Sequence, residues 1–236
     1  MRSIWYFMRQ EQFKKLCYYN VWMRERLAMI LTDKEIRALC ISNISNKKKS
    51  KGLITPFSED ALQSESYDLA IGNRIAVLKK EICCIDVTNQ NEINEIYDEH
   101  ELPISGYVLS PKEYVLVSLR ENIALPDNIT AHIRPRTRFT RLGLIVSDQH
   151  CNSTYEGNLK IGLYNATGYA IKIFQGVRVA QIVFEELKSK PSSEKLYKNK
   201  DNAVYQNEQE FIGAVASIDF EEKVADAVKL LLKREE

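Results

Sequence analysis

Long apolar runs are missing from this chain. No uninterrupted stretch approaches the roughly 18 residues a membrane helix requires, so no membrane span is expected. Glycine is scarce, at nine in 236 residues. Neither a GxxxxGK[ST] phosphate loop nor a GxGxxG turn occurs, which removes the two common glycine-rich nucleotide cradles. A GxSxG nucleophile elbow is absent too. The three histidines (His100, His132, His150) lack metal-ligand spacing. His150 beside Cys151 is a weak metal pair at best, and no metal centre is expected. The five cysteines (Cys17, Cys40, Cys83, Cys84, Cys151) are odd in number and form no CxxC. A chain of this length needs no disulfide staples, and a reducing, cytoplasmic location is the economical reading. Excess charge is missing as well. Thirty-three basic residues face thirty-two acidic ones, for a net charge of +1. That excludes a whole-molecule polyanion binder while leaving room for local patches. Residues 1–27 have no apolar h-region and no small-residue cleavage site, so no secretory signal is expected.

What is present fits a globular protein: 44% hydrophobic and 28% charged residues. The length allows one full domain with extensions, or two small ones. In residues 1–27, Trp5, Met8, Phe13, Leu16 and Cys17 roughly follow a helical stripe, with basic residues mainly elsewhere. This predicts a helical extension packed on the body or on a partner, with a membrane-surface helix as the alternative. Thr32 and Glu35 have capping-box spacing, so a helix should run from Thr32 to about Cys40. Residues 46–51 read as a basic, solvated loop. From Leu53 onward, short runs with period-two alternation predict strands at residues 67–71, 74–78, 114–118, 159–164 and 177–184, broken by turn residues. Such a series indicates an all-β sandwich, barrel or jelly roll. Residues 81–101 carry seven carboxylates and no Lys or Arg, as expected of an exposed loop or hairpin. Residues 188–207 read as a polar, flexible tail. The last twenty residues read as a helix capped by Asp219, with Val224, Ala227, Val228 and Leu231 on its buried stripe.

Six ordered segments carry a resemblance. Leu62-Gln63-Ser64-Glu65-Ser66-Tyr67-Asp68-Leu69-Ala70-Ile71-Gly72 is followed by Leu109-Ser110-Pro111-Lys112-Glu113-Tyr114 and by Leu125-Pro126-Asp127. Then come Arg136-Thr137-Arg138-Phe139-Thr140-Arg141-Leu142-Gly143-Leu144, Tyr155-Glu156-Gly157 and Gly176-Val177-Arg178-Val179-Ala180-Gln181. The tail adds Ala203-Val204-Tyr205-Gln206 and Gly213-Ala214-Val215-Ala216-Ser217. Together these resemble the dCTP deaminase and dUTPase superfamily, nearer to its deaminase branch. The resemblance implies a mainly β, distorted jelly-roll core of the dUTPase-like β-clip type, to which the residue patterns above add N- and C-terminal helices. It implies a homotrimer with nucleotide triphosphate sites at subunit interfaces. Domain limits follow as 1–27 for the helical extension, 28–190 for the β core, 191–216 for a lid-like tail and 217–236 for the terminal helix.

Two catalytic positions of the family differ here. A Glu that shuttles protons during zinc-independent deamination falls on Gly162, which has no side chain to move a proton. The Asp that activates water in dUTPases falls on Asn152, whose amide is no general base. Glu156 is the nearest spare carboxylate, and it also reads as an ordinary hairpin charge. The HxE and PCxxC signature of zinc deaminases is absent. Arg136, Thr137, Arg138 and Arg141 match phosphate-contact positions, with Arg138 in place of a small residue. Gln181 supports the pocket, Tyr197 and Lys200 lie in the lid, and a family lid lysine falls on Val204. Arg134 and its neighbours read equally as a basic trimer seam or surface charge, and Asp68 as a structural brace. No cofactor is required, although Mg2+ could accompany a nucleotide triphosphate. Three functions remain. The first is a nucleotide-binding, catalytically impaired regulator or sensor. The second is an active dCTP deaminase or dUTP diphosphatase with a relocated carboxylate. The third is a trimeric scaffold that meets a protein partner through its terminal helices.

Overall fold

A computed structural model of the protein describes residues 29–45, 52–82 and 84–216. The helices expected over residues 1–27 and 217–236, and the loop at 46–51, lie outside the described residues.

Alternating apolar residues build a mainly antiparallel β structure. Its strands are β1 (Met29–Ile30), β2 (Ile54–Thr55), β3 (Tyr67–Leu78), β4 (Tyr97–Glu101), β5 (Tyr107–Leu109) and β6 (Tyr114–Ala124). They continue as β7 (Ile129–Pro135), β8 (Leu144–Val146), β9 (Gln149–Cys151), β10 (Glu156–Asn165), β11 (Ile171–Ile173) and β12 (Arg178–Glu186). The large sheet runs β8-β10-β6-β3-β12-β7-β9, with β1, β2 and β4 attached at its sides, while β5 and β11 form a separate pair. All pairings between these strands are antiparallel. This is the mainly β, curled architecture that the alternation predicts.

The two strands expected at 67–71 and 74–78 are one strand, β3. It joins β12 through its first half and β6 and β4 through its second. Its register slips between Ile71 and Ile75, at Gly72. A Cβ at Gly72 would stand 2.8 Å from Ser118 Oγ and 3.0 Å from the Ser118 carbonyl oxygen, so only glycine allows the two strands this approach. Beside it, the Ala70 N–H donates to the fully buried Glu121 carboxylate at 2.9 Å, a side-chain substitute for a ladder bond. Leu69, Ile71, Val117, Ile133, Ile161, Leu163, Ile182 and Phe184 fill the core between the curled halves.

Helix α1 (Asp33–Ser45) starts where the capping box places it. Glu35 accepts from the Thr32 N–H at 2.7 Å and from the Thr32 hydroxyl at 2.9 Å. It extends five residues beyond the expected end, since no Pro or Gly interrupts the chain before Gly52. The acidic segment is more than an exposed loop. It contains α2 (Gln90–Asn94) and β4, and its Ile93 and Ile96 are buried. The β4 ladder on β3 and the Lys79 N–H bond to the Ile96 carbonyl at 2.9 Å anchor it.

Residues 197–207, part of the expected flexible tail, are docked, and so are residues 208–216 that complete the lid-like stretch. They lie along the start of β10. The Asn207 N–H donates to the Glu156 carbonyl at 2.7 Å, and the Asn158 N–H to the Glu208 carbonyl at 2.8 Å. Gln206 bonds both the Glu156 N–H and the Thr154 carbonyl. Phe211 packs edge-on against Tyr97 of β4, with ring centroids 5.5 Å apart. Gln90 of α2 ties down Ala214 and Ala216.

Candidate functional site

The polar residues of the resemblance gather in two places. The first lies where β3, β12 and β7 run side by side. Asp68, Gln181 and Arg134 are successive cross-strand partners, so their side chains share one sheet face. Arg136 Nη2 meets Asp68 Oδ2 at 3.1 Å, and Arg136 Nη1 donates to the Arg178 carbonyl at 3.2 Å. Gln63 Nε2 donates to the same Asp68 oxygen at 3.3 Å. Burial pushes the Asp68 carboxyl above its usual range, opposed by the charges of Arg136, Arg178 and Arg138. Asp68 therefore does brace the structure, as the ionic partner of Arg136. Arg136 on the carboxylate, with the charges of Arg178 and Arg138 near enough to act on it, leaves a surplus of positive charge, suited to an anion.

Thr137, Arg138 and Arg141 continue this end on α3 (Thr137–Arg141), and all three are exposed. Arg141 has no side-chain hydrogen bond or ion pair among the described residues. Arg178 is a member of the cluster that sequence reasoning missed. It sits in a matched segment, but only the pairing of β12 with β3 brings it to Asp68.

The second place is the outer face of β10. Leu159, Ile161 and Leu163 point into the core, so Asn158, Lys160, Gly162 and Tyr164 occupy the opposite face. A Cβ built on Gly162 would overlap the Tyr114 hydroxyl and ring. Tyr114 pairs with Tyr164 on the neighbouring strand β6, which makes it the diagonal neighbour of Gly162. The close approach at Gly162 is thus to a side chain. The Gly162 N–H donates to Ser147 Oγ at 2.8 Å.

A cavity of about 520 Å³ opens over this face, lined by Tyr97, Tyr114, Gln149, His150, Lys160, Tyr205 and Glu208 with part of the tail. Lys160 Nζ lies 3.7 Å from Glu208 Oε1, with the side chains 8% and 4% exposed. Burial lowers the Lys160 pKa and raises that of Glu208, and each charge offsets the other's shift. Neither residue was singled out from sequence. Lys160 left a signal, a lone cation on the polar side of an apolar strand. Glu208 left none, because its place depends on how the tail docks.

Asn152 is exposed, and its carbonyl accepts the Tyr155 N–H at 3.1 Å in the turn before β10. Tyr197 stacks near Tyr155, with centroids 5.9 Å apart, and the Lys200 N–H closes on the Tyr197 carbonyl at 3.2 Å. Glu156 opens β10 through backbone bonds to the tail. The structure therefore brings Tyr197, with Lys200 beside it, to the turn after Asn152, and sets Gly162 beneath Tyr114, a residue of the cavity wall. None of Arg136, Thr137, Arg138, Arg141 or Gln181 lines that cavity. Among the described residues, no group of three or more His, Cys, Asp or Glu could hold a metal ion, and no helix is long and apolar enough to cross a membrane.

A family profile described as dCTP deaminase-like matches residues 30–187. A dUMP-forming dCTP deaminase of Sulfurihydrogenibium is 35% identical over 175 residues, covering 73% of this chain and 91% of the relative. A dCTP deaminase of Pyrococcus horikoshii is 32% identical over 145 residues, covering 61% of this chain and 82% of the relative. The crystal structure of 2'-deoxycytidine 5'-triphosphate deaminase from Agrobacterium tumefaciens superposes with a TM-score of 0.53 at 24% identity, over 68% of this chain and 49% of that one. This chain thus spans about half the length of that solved neighbour, and the likeness supports the fold. With the ordered motifs, the curled antiparallel sheet and the profile match in agreement, the chain belongs to the dCTP deaminase-like family.

Proposed function

We propose that this protein binds a nucleoside or deoxynucleoside triphosphate at the interfaces of a homotrimer, and that it is impaired in the family's deamination step and acts as a sensor or regulator. The observation that carries this reading is Tyr114 standing over Gly162. The position that supplies the family's proton shuttle has no carboxylate, and a neighbouring ring fills the space its side chain would take. Proton transfer by a positioned group contributes about 10²–10⁴-fold in rate, so its loss leaves binding without ordinary turnover. The phosphate end argues that binding persists. Arg136 is held in place by Asp68, and Arg138 and Arg141 are exposed on α3.

The interface location has its own support. The arginine cluster and the β10 cavity have no lining residue in common within one chain. A nucleotide with phosphates on the arginines and its base against β10 would be held by two subunits. Mg2+ would enter with the triphosphate as its counter-ion. A partner for the terminal helices and a cytoplasmic setting belong to the same proposal.

Thermal melts with each triphosphate test it. A ligand at 100 times its Kd should stabilise the fold by about 2.7 kcal/mol. Arg141→Ala should abolish that response, and a full response in the variant would remove the arginines from the site. The active-enzyme reading has one observation in its favour, the buried carboxylate of Glu208 in the cavity. It requires uracil nucleotides to appear from dCTP, or diphosphate from dUTP. A scaffold requires that no nucleotide shift the melt.

A further inference from the structure

The β10 cavity contains a charged pair whose hydrogen-bonding capacity is only partly used. Glu208 Oε1 accepts the Ile212 N–H at 3.1 Å and faces Lys160 Nζ at 3.7 Å. The other carboxylate oxygen has no hydrogen bond from the described residues. Lys160 Nζ donates to the Asn158 carbonyl at 3.0 Å, which leaves ammonium donors unspent. Both side chains are more than nine-tenths buried, yet both line a cavity of about 520 Å³. Open hydrogen-bond positions on charged groups that face a cavity are ready to be filled by a ligand in place of water. The other prominent walls are the rings of Tyr97, Tyr114 and Tyr205, surfaces that suit a flat heterocycle.

We propose that this cavity takes a guanine base, with Lys160 donating to O6 and Glu208 accepting from N1–H and the 2-amino group. The inference rests on the nucleotide-binding reading above and names the class of nucleotide. Its logic is the order of donors and acceptors on each base. Guanine presents a keto oxygen followed by two adjacent N–H donors, the complement of an ammonium followed by a carboxylate. Cytosine and adenine each offer one amino donor beside a ring-nitrogen acceptor, so the second carboxylate oxygen would face a lone pair. Uracil and thymine offer one N–H between two keto oxygens, which again sets oxygen against oxygen. Like partners opposed in a buried site discriminate strongly, because a desolvated polar group is left unpaired. The volume admits a two-ring base, and it falls in the usual range for small-molecule sites.

The test compares GTP, dGTP, ITP, ATP, dCTP, dUTP and inorganic tripolyphosphate by thermal shift and calorimetric titration. The full chain, Glu208→Gln and Lys160→Met are each examined. Guanine nucleotides should bind the unaltered protein about tenfold or more tighter than the other bases. ITP, which lacks the 2-amino group, should lose about tenfold against GTP, a ligand-side check that needs no folded variant. Glu208→Gln should weaken GTP about tenfold and leave tripolyphosphate within about twofold. Equal binding of cytosine and guanine nucleotides, equal binding of ITP and GTP, or a Glu208→Gln variant with undiminished GTP affinity would each overturn the assignment. Triphosphate-dependent binding without base preference sinks this inference alone. Absence of any response, tripolyphosphate included, sinks the nucleotide reading and this inference with it.

Discussion

The arginine end and the β10 face both lie within the span that matches the family and are built differently. At the arginine end the ionic logic is intact: Arg136 is oriented by Asp68, Arg178 and Arg138 add their fields, and exposed residues of α3 continue the positive surface. On β10 our proposal is that the family's chemistry is lost. In that proposal Gly162 stands where the family has its carboxylate; Tyr114 leans across it, and the pair Lys160 and Glu208 spans strand and tail. Charge binding tolerates drift, since any of several guanidinium groups can hold a phosphate. Proton transfer does not, because it needs one group within hydrogen-bond reach of one atom. A single substitution can therefore end catalysis at one region while the other still holds its ligand.

The comparison can be broken first on β10. Lys160→Met strands Glu208 as a buried, uncompensated charge, and urea unfolding should show a loss on the order of 3 kcal/mol. Adding Glu208→Gln should recover much of it, and simple additivity of the two losses would deny the coupling. Gly162→Glu should cost about 1–3 kcal/mol, because the new side chain must displace Tyr114. Chromatography should find no uracil product from dCTP with that variant. Tyr114→Ala in the same chain should return part of the lost stability. At the arginine end, Asp68→Asn removes the carboxylate that pairs with Arg136. It should cost about 1–2 kcal/mol, discounted because Arg136 is partly exposed. It should also enlarge the triphosphate-induced melting shift, since an anion then competes with no fixed carboxylate. Thr32→Ala, outside both regions, should lower stability by about 1 kcal/mol through loss of the cap and leave ligand response unchanged.

How much of this could be read in advance depends on the range of the interaction involved. The Thr32–Glu35 cap lies within one turn, and the sequence shows it. Alternation such as Leu159-Lys160-Ile161-Gly162-Leu163 announces a strand and even places Lys160 and Gly162 on one face. The sequence marks Arg136 and Asp68 separately, and only the pairing of β12 with both β3 and β7 brings them together. Three features were out of reach because each depends on long-range register. Tyr114 covers Gly162 only because β6 and β10 pair with Tyr114 opposite Tyr164. β3 continues through Gly72 because Ser118 approaches there, although a glycine in a sequence reads as a break. Glu208 reaches Lys160 because backbone bonds from Asn207 and Asn158 fix the tail on β10, in a segment whose polar composition suggests a loose end.

Nucleotide binding without the family's turnover is the central claim, and one sample can test both halves. The purified full chain is incubated with dCTP and Mg2+, the melt is recorded with each triphosphate, and the same dCTP incubation is resolved by chromatography. The account predicts a melting shift with at least one triphosphate and dCTP recovered unchanged. Conversion of dCTP to a uracil nucleotide at ordinary enzymatic rates, or a melt that no triphosphate moves, would contradict it.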